Sequence, residues 1–151
     1  MRRTAHGFTL LEVMVAFAIV ALLLAVTPLA YRKVHDALGY RAALSDVTSA
    51  LKQARIDAIL QGRPVEMTLR LDERRMDAPG QKTVRIPDGI RIDVRAALVE
   101  DGHGEARPIF RFYPDGSATG GSISLISAGG RASRIEIDWL TGSLRQADEQ
   151  G

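Results

Sequence analysis

Gly7-Phe8-Thr9-Leu10-Leu11-Glu12 opens the run GFTLLEVMVAFAIVALLLAVTPLAY, residues 7–31, on which the reading of the whole chain turns. From Val13 to Val26 every side chain is apolar, and no charge stands between Glu12 and Arg32. Val13 to Tyr31, as a helix at ~1.5 Å per residue, would extend about 28 Å, close to the thickness of a bilayer's hydrocarbon. Arg2 and Arg3 lie before the run, and Arg32 and Lys33 lie after it. Hydropathy alone reads this as a membrane anchor or an uncleaved signal peptide. A secretory signal ends in small residues around a cleavage site and a polar mature start. Here Leu29-Ala30-Tyr31 continues into helix-compatible sequence instead. Glu12 is the second departure from a plain anchor. A lone acid at the centre of a spanning helix costs roughly 2.5–3.5 kcal/mol, less near an end, so an intramembrane carboxylate is a functional candidate by default.

These residues resemble the processing signature of type IV pilins and of the pseudopilins of type II secretion. The resemblance implies that the basic leader, residues 1–7, is cut on the cytoplasmic side of the inner membrane by prepilin peptidase. The scissile pair would be Gly7 and Phe8, with the new Phe8 amine N-methylated. Glu12 would then be the carboxylate that sets register during assembly. In a filament, the amine of one subunit can face Glu12 of its neighbour. Two unit charges ~4 Å apart attract by about 4 kcal/mol at an effective dielectric near 20, before desolvation is counted.

The apolar pattern continues past the anchor. Tyr40, Leu44, Val47, Leu51, Ala54 and Ala58 follow one another at alternating intervals of three and four, the narrow stripe of an amphipathic helix. Asp36, Arg41, Asp46, Lys52, Arg55 and Asp57 occupy its other face. Gln61-Gly62-Arg63-Pro64 supplies the stop, with glycine at the C-cap and proline just beyond. Pro28 removes one helix hydrogen bond and would kink the helix near Leu24. The expectation is one long helix from Phe8 to Gln61, lipid-embedded over 8–31 and amphipathic over 32–62.

After Pro64 the period falls to two. Val65, Met67, Leu69 and Leu71 alternate with polar residues and predict a half-buried strand. Asp72–Arg75 reads as a polar turn. Thr83–Ile86 and Ile90–Arg95 are further strands, separated by Pro87-Asp88-Gly89, and Glu100–Pro108 is a polar loop. An aromatic strand at Ile109–Tyr113 runs into Pro114-Asp115-Gly116, a strong turn signal. Ser122–Ser127 and Ile135–Trp139 follow, with the Gly129-Gly130 turn between them and Thr141-Gly142 after them. Residues 63–145 thus form a β-rich domain, and 146–151 a frayed tail. A helix followed only by antiparallel strands predicts an α+β fold with the helix packed on sheet.

A second resemblance covers this domain. Ala54-Arg55, Ala58-Ile59, Gly62 and Val65 look like the helix end of GspH-type minor pseudopilins and FimT-type minor pilins. Phe112-Tyr113-Pro114-Asp115-Gly116-Ser117, and Ile135-Glu136-Ile137-Asp138 ending in Leu140-Thr141-Gly142, resemble their C-terminal sheet. Residues 72–107 match no motif. The resemblance implies a minor pseudopilin near the tip of a short periplasmic pseudopilus, or alternatively a minor pilin that primes a type IV pilus or takes up DNA. Its partners would be major and minor pseudopilins, prepilin peptidase, inner-membrane lipid and secreted cargo. The N-terminus would be cytoplasmic and the C-terminal domain periplasmic, an orientation that Arg2 and Arg3 favour and Arg32 and Lys33 dilute.

Other chemistry finds little purchase. The chain has no cysteine, so disulfides and thiolate metal sites are absent. Its basic isoelectric point suggests nucleic acid, but loss of residues 1–7 leaves 18 basic against 18 acidic side chains. A neutral chain exerts no general attraction on phosphate, so nucleic acid is not an expected partner. Arg131, Arg134 and Arg145 would make a small basic patch if they converge, a weak footprint for which a solvated surface is the better reading. His35 and His103 are the histidines left outside the leader, and His103, in a glycine-rich loop, reads as solvated rather than as a base or ligand. No nucleophile elbow, Walker A motif or EF-hand pattern is present. No cofactor is expected, and an enzyme is set aside for want of a catalytic constellation.

Overall fold

The structure is a computed structural model. It describes residues 9–100 and 106–149, with the backbone alone over 23–36 and at Glu149. The chain divides into two units, Met1–His35 and Asp36–Gly151.

Helix α1 spans Leu10–Gln61. Thr9 caps it: the Glu12 amide donates to Thr9 Oγ1 at 3.3 Å and to the Thr9 carbonyl at 3.1 Å. Thr9-x-x-Glu12 is the spacing of a capping box, in which the threonine satisfies one of the first turn's unpaired donors. The helix ends where Gly62 adopts φ +63°, a left-handed conformation that only glycine adopts without strain. Among the described residues no helix is long and apolar enough to cross a membrane. The expected span runs into 23–36, whose side chains are outside the described set.

Within the unit from Asp36 onward, the expected stripe is the core-facing one. Tyr40, Val47, Leu51, Ala54 and Ala58 are buried, joined by Ala43, with Leu44 partly buried. The Tyr40 hydroxyl, buried with its ring, donates to the Leu125 carbonyl at 3.1 Å. Such a bond lets a phenol enter a core without leaving its polar tip unpaired.

The strands are β1 (Val65–Arg70), β2 (Arg75–Asp77), β3 (Val84–Arg85), β4 (Ile90–Arg95), β5 (Ala97–Glu100), β6 (Ala106–Phe112), β7 (Gly121–Ser127), β8 (Ala132–Ile137) and β9 (Leu144–Glu149). They form two sheets, both antiparallel, in keeping with the α+β class expected. The first has the order β3-β2-β1-β6-β5 and the second β4-β7-β8-β9. The chain changes sheet three times: between β3 and β4, at Ala96, which alone separates β4 from β5, and between β6 and β7. Met67 and Leu69 of the first sheet and Ile123, Leu125 and Ile135 of the second join the helix stripe in one apolar cluster.

Three expectations are corrected. Arg75 is not the end of a turn but the start of β2, which the turn folds back onto β1 with Arg70 opposite Arg75. The 100–108 segment is strand at both ends, β5 and β6, paired from Ala97–Ile109 to Glu100–Ala106. Pro108, expected to end that loop, stands inside β6 opposite Leu98, beyond the last pairing of β6 with β1. Of the tail expected to fray, residues 146–149 belong to β9, paired with β8 through Ala132–Glu149, and 150–151 lie outside the described residues. Leu144-Arg-Gln-Ala-Asp-Glu lacks apolar alternation because it is an edge strand held by backbone pairing and by Ser133 Oγ donating to Asp148 Oδ1 at 2.6 Å.

Candidate functional site

Of the N-terminal site residues, Gly7 and Phe8 lie outside the described residues. Glu12 is exposed, in the first turn of α1 three residues after its cap. Sequence reading missed the role of Thr9, although the Thr-x-x-Glu spacing signals it.

At the other end of α1, three stretches far apart in sequence meet on Arg55. Its Nη2 donates to the Thr141 carbonyl at 2.8 Å and its Nε to the Gly116 carbonyl at 3.3 Å. Gly116, at φ +87°, and Gly142, at φ +59°, both occupy the left-handed region. A Cβ on Gly142 would stand 2.3 Å from the Gly116 carbonyl oxygen and 3.0 Å from Arg55 Nε. Glycine is thus demanded by both backbone conformation and space. The family-like motifs at Ala54-Arg55, at Phe112–Ser117 and at Leu140–Gly142 are therefore the three sides of one latch.

Each turn of the latch is fastened by its own aspartate. Asp115 Oδ1 accepts from Ser117 Oγ at 2.6 Å and from the Ser117 amide at 3.0 Å. Asp138 Oδ1 accepts from the Thr141 amide at 2.8 Å, Thr141 Oγ1 at 2.9 Å and the Leu140 amide at 3.1 Å. Hydrogen bonds to a charged carboxylate favour that form. The Ser117 hydroxyl and amide hold Asp115 below the usual carboxylate range. The Thr141 amide and hydroxyl do the same for Asp138, with lesser help from Leu140 and Arg145. The second turn presents Trp139, 66% exposed, and Leu140, 63% exposed.

The three arginines that would have made a basic patch had they converged are not brought together as one cluster. Arg131 lies in the β7–β8 turn, its amide donating to Ser127 Oγ at 3.1 Å. Arg134 and Arg145 share the outer face of the second sheet, where Arg134 Nε donates to Ser124 Oγ at 3.3 Å. With Arg95 they border a shallow cleft of about 610 Å³ that also contains Glu136, Asp138 and Trp139. Glu136 stands directly opposite Arg145, so carboxylates are interleaved with the cations. His103 lies outside the described residues, as does the side chain of His35. Among the described residues no three His, Cys, Asp or Glu side chains are grouped to hold a metal.

Residues 2–27 match the prokaryotic N-terminal methylation motif, and residues 43–142 match the family of Type II transport protein GspH. The type II secretion system protein H of Xanthomonas campestris pv. campestris is 28% identical over 144 residues, 95% of this chain and 84% of that protein. The fold is similar to that of the minor pseudopilin EpsH from the type II secretion system of Vibrio cholerae, with a TM-score of 0.56 and 17% identity over 75% of this chain and 96% of that one. It is also similar to the type IV minor pilin FimU of Pseudomonas aeruginosa, with a TM-score of 0.54 and 12% identity over 74% of this chain and 98% of that one. The methylation motif and the family indicate a membrane-anchored subunit with a periplasmic domain, whose partners are other pseudopilins. Pilin-like in fold and bearing the GspH family's domain behind a methylation motif, the chain belongs to the GspH family of type II transport proteins.

Proposed function

We propose that this protein is a minor pseudopilin, a structural subunit near the tip of the periplasmic pseudopilus of a type II secretion system, and not an enzyme. One observation carries the reading: a methylation motif over 2–27 and a GspH-family domain over 43–142 occur in the same chain. Prepilin peptidase cuts between Gly7 and Phe8 and the Phe8 amine is methylated. The apolar helix anchors the subunit in the inner membrane and later packs in the filament. Glu12 answers the Phe8 amine of a neighbour, so a subunit with an uncut leader is penalised. The globular domain contacts other minor pseudopilins and secreted cargo.

Co-expression with prepilin peptidase, followed by mass measurement of the intact chain, tests this. The expected product begins at methylated Phe8. A functional protein that retains Met1 would overturn the reading. The likeness to FimU favours a second reading, a minor pilin of a type IV pilus. Deletion separates the two: loss of protein secretion supports the first, and loss of pili with secretion intact supports the second.

A further inference from the structure

The outer face of the first sheet carries an arrangement of charges that the latch does not use. Arg70, Arg75 and Arg85 stand directly opposite one another across β1, β2 and β3. Neighbouring strands lie about 4.8 Å apart, and like charges directly opposite are destabilising. Two carboxylates offset the repulsion. Glu73 bridges Arg70 at 3.2 Å and Arg75 at 3.1 Å. Asp77 lies 3.5 Å from Arg70 Nε and 3.0 Å from Arg75 Nε, and it also accepts from Thr83 Oγ1 at 2.7 Å.

The compensation is incomplete in two respects. The Nε atoms of Arg70 and Arg75 are cut off from solvent and make no hydrogen bond, although both lie within ion-pairing distance of Asp77. That is proximity without alignment, and a shielded donor left unpaired is costly. Arg85 is exposed at the sheet edge, and among the described residues no carboxylate pairs with it. Three guanidinium groups thus share two carboxylates.

We infer that the Arg70–Arg75–Arg85 row is a docking surface for an acidic segment of a partner protein, with Glu73 holding the place of a partner carboxylate in the free subunit. The partner's being a protein of the secretion machine or its cargo rests on the pseudopilin reading; the charge chemistry does not. Carboxylate fits better than phosphate. The planar fork of arginine pairs with carboxylates, and two members of the row already do so here. The chain without its leader is neutral, so it lacks the long-range attraction that draws a polyphosphate backbone. Glu73 lies in the β1–β2 turn and is 41% exposed, placed where an incoming carboxylate can displace it.

The test is binding of fluorescent decaglutamate to the full chain in detergent micelles at low ionic strength. Binding should weaken with added salt. Arg85→Gln should weaken it about fivefold, the scale of one exposed charge pair. Glu73→Gln should tighten it by a similar factor, a gain that simple damage to the fold cannot mimic. Arg145→Gln, on the other sheet, should leave it unchanged. Failure of decaglutamate to bind, or equal affinity for the parent, Arg85→Gln and Glu73→Gln proteins, would overturn the inference. So would tighter binding of an oligothymidylate of matched length through the same residues. None of these readings depends on secretion, so this inference and the pseudopilin assignment can fail separately.

Discussion

Gly142 shows how much a single position in the latch carries. Alanine there would need φ +59° and would press its Cβ against the Gly116 carbonyl and the Arg55 side chain. Gly142→Ala should destabilise the domain by about 2 kcal/mol or more, from left-handed strain and the displaced turn together. Urea denaturation checks this, and an unchanged midpoint would show that the latch yields freely. The two aspartates give the latch a pH dependence of definite sign. Both have folded-state values below the ordinary carboxylate range, so their contribution is present above the unfolded value near 3.9 and is lost as pH falls through the folded values. The melting temperature should therefore drop below about pH 4. The combined Asp115→Asn and Asp138→Asn substitution, which keeps an acceptor but removes the titration, should flatten that drop. The turns themselves were legible as Pro114-Asp115-Gly116 and Thr141-Gly142. Their meeting on Arg55 was not, because hydrogen bonds spanning 61 and 86 residues leave no local periodicity.

Helix α1 joins two roles for Glu12 that a single substitution would confuse. It stands at the capping-box spacing from Thr9, which accepts from its backbone amide, and as an anion at a helix N-terminus it favours the positive end of the dipole. The assembly role requires its charge. Glu12→Gln keeps a capping-competent side chain without the charge, whereas Glu12→Ala loses both. If charge pairing with a neighbour's amine governs assembly, both variants should insert normally and both should be depleted from filaments, as read by shearing and immunoblot. Normal incorporation of Glu12→Gln would leave capping as the residue's role. Among the strands, legibility followed burial. β1 reads plainly because Val65, Met67 and Leu69 are buried while their neighbours are half-exposed. β5 is exposed at every residue, and β9 is an exposed edge, so neither displays the alternation that marks a half-buried strand.

At the scale of the molecule, the unit from Asp36 onward contains its own apolar cluster, running from Tyr40 to Ile137. A fragment beginning at Asp36 should therefore unfold in one cooperative transition. Leu51, fully buried in the helix stripe, is its most sensitive probe. Leu51→Ala in that fragment should cost roughly 3 kcal/mol, within the range for emptying a leucine site in a packed core. A smaller loss together with a broadened transition would mean that the helix is not integral to the domain.

The long helix with its stripe, the half-buried strands, the methylation motif and the α+β class follow from the amino-acid sequence by itself. Each is encoded locally, in a period of 3.6 or 2 or in a contiguous motif. Tertiary structure alone decided that the strands are shared between two sheets, with the chain crossing from one to the other three times, that three distant motifs close on Arg55, and that Arg70, Arg75 and Arg85 form a row. Those outcomes depend on register between strands, and register is set by which faces are buried together, a property no single segment possesses.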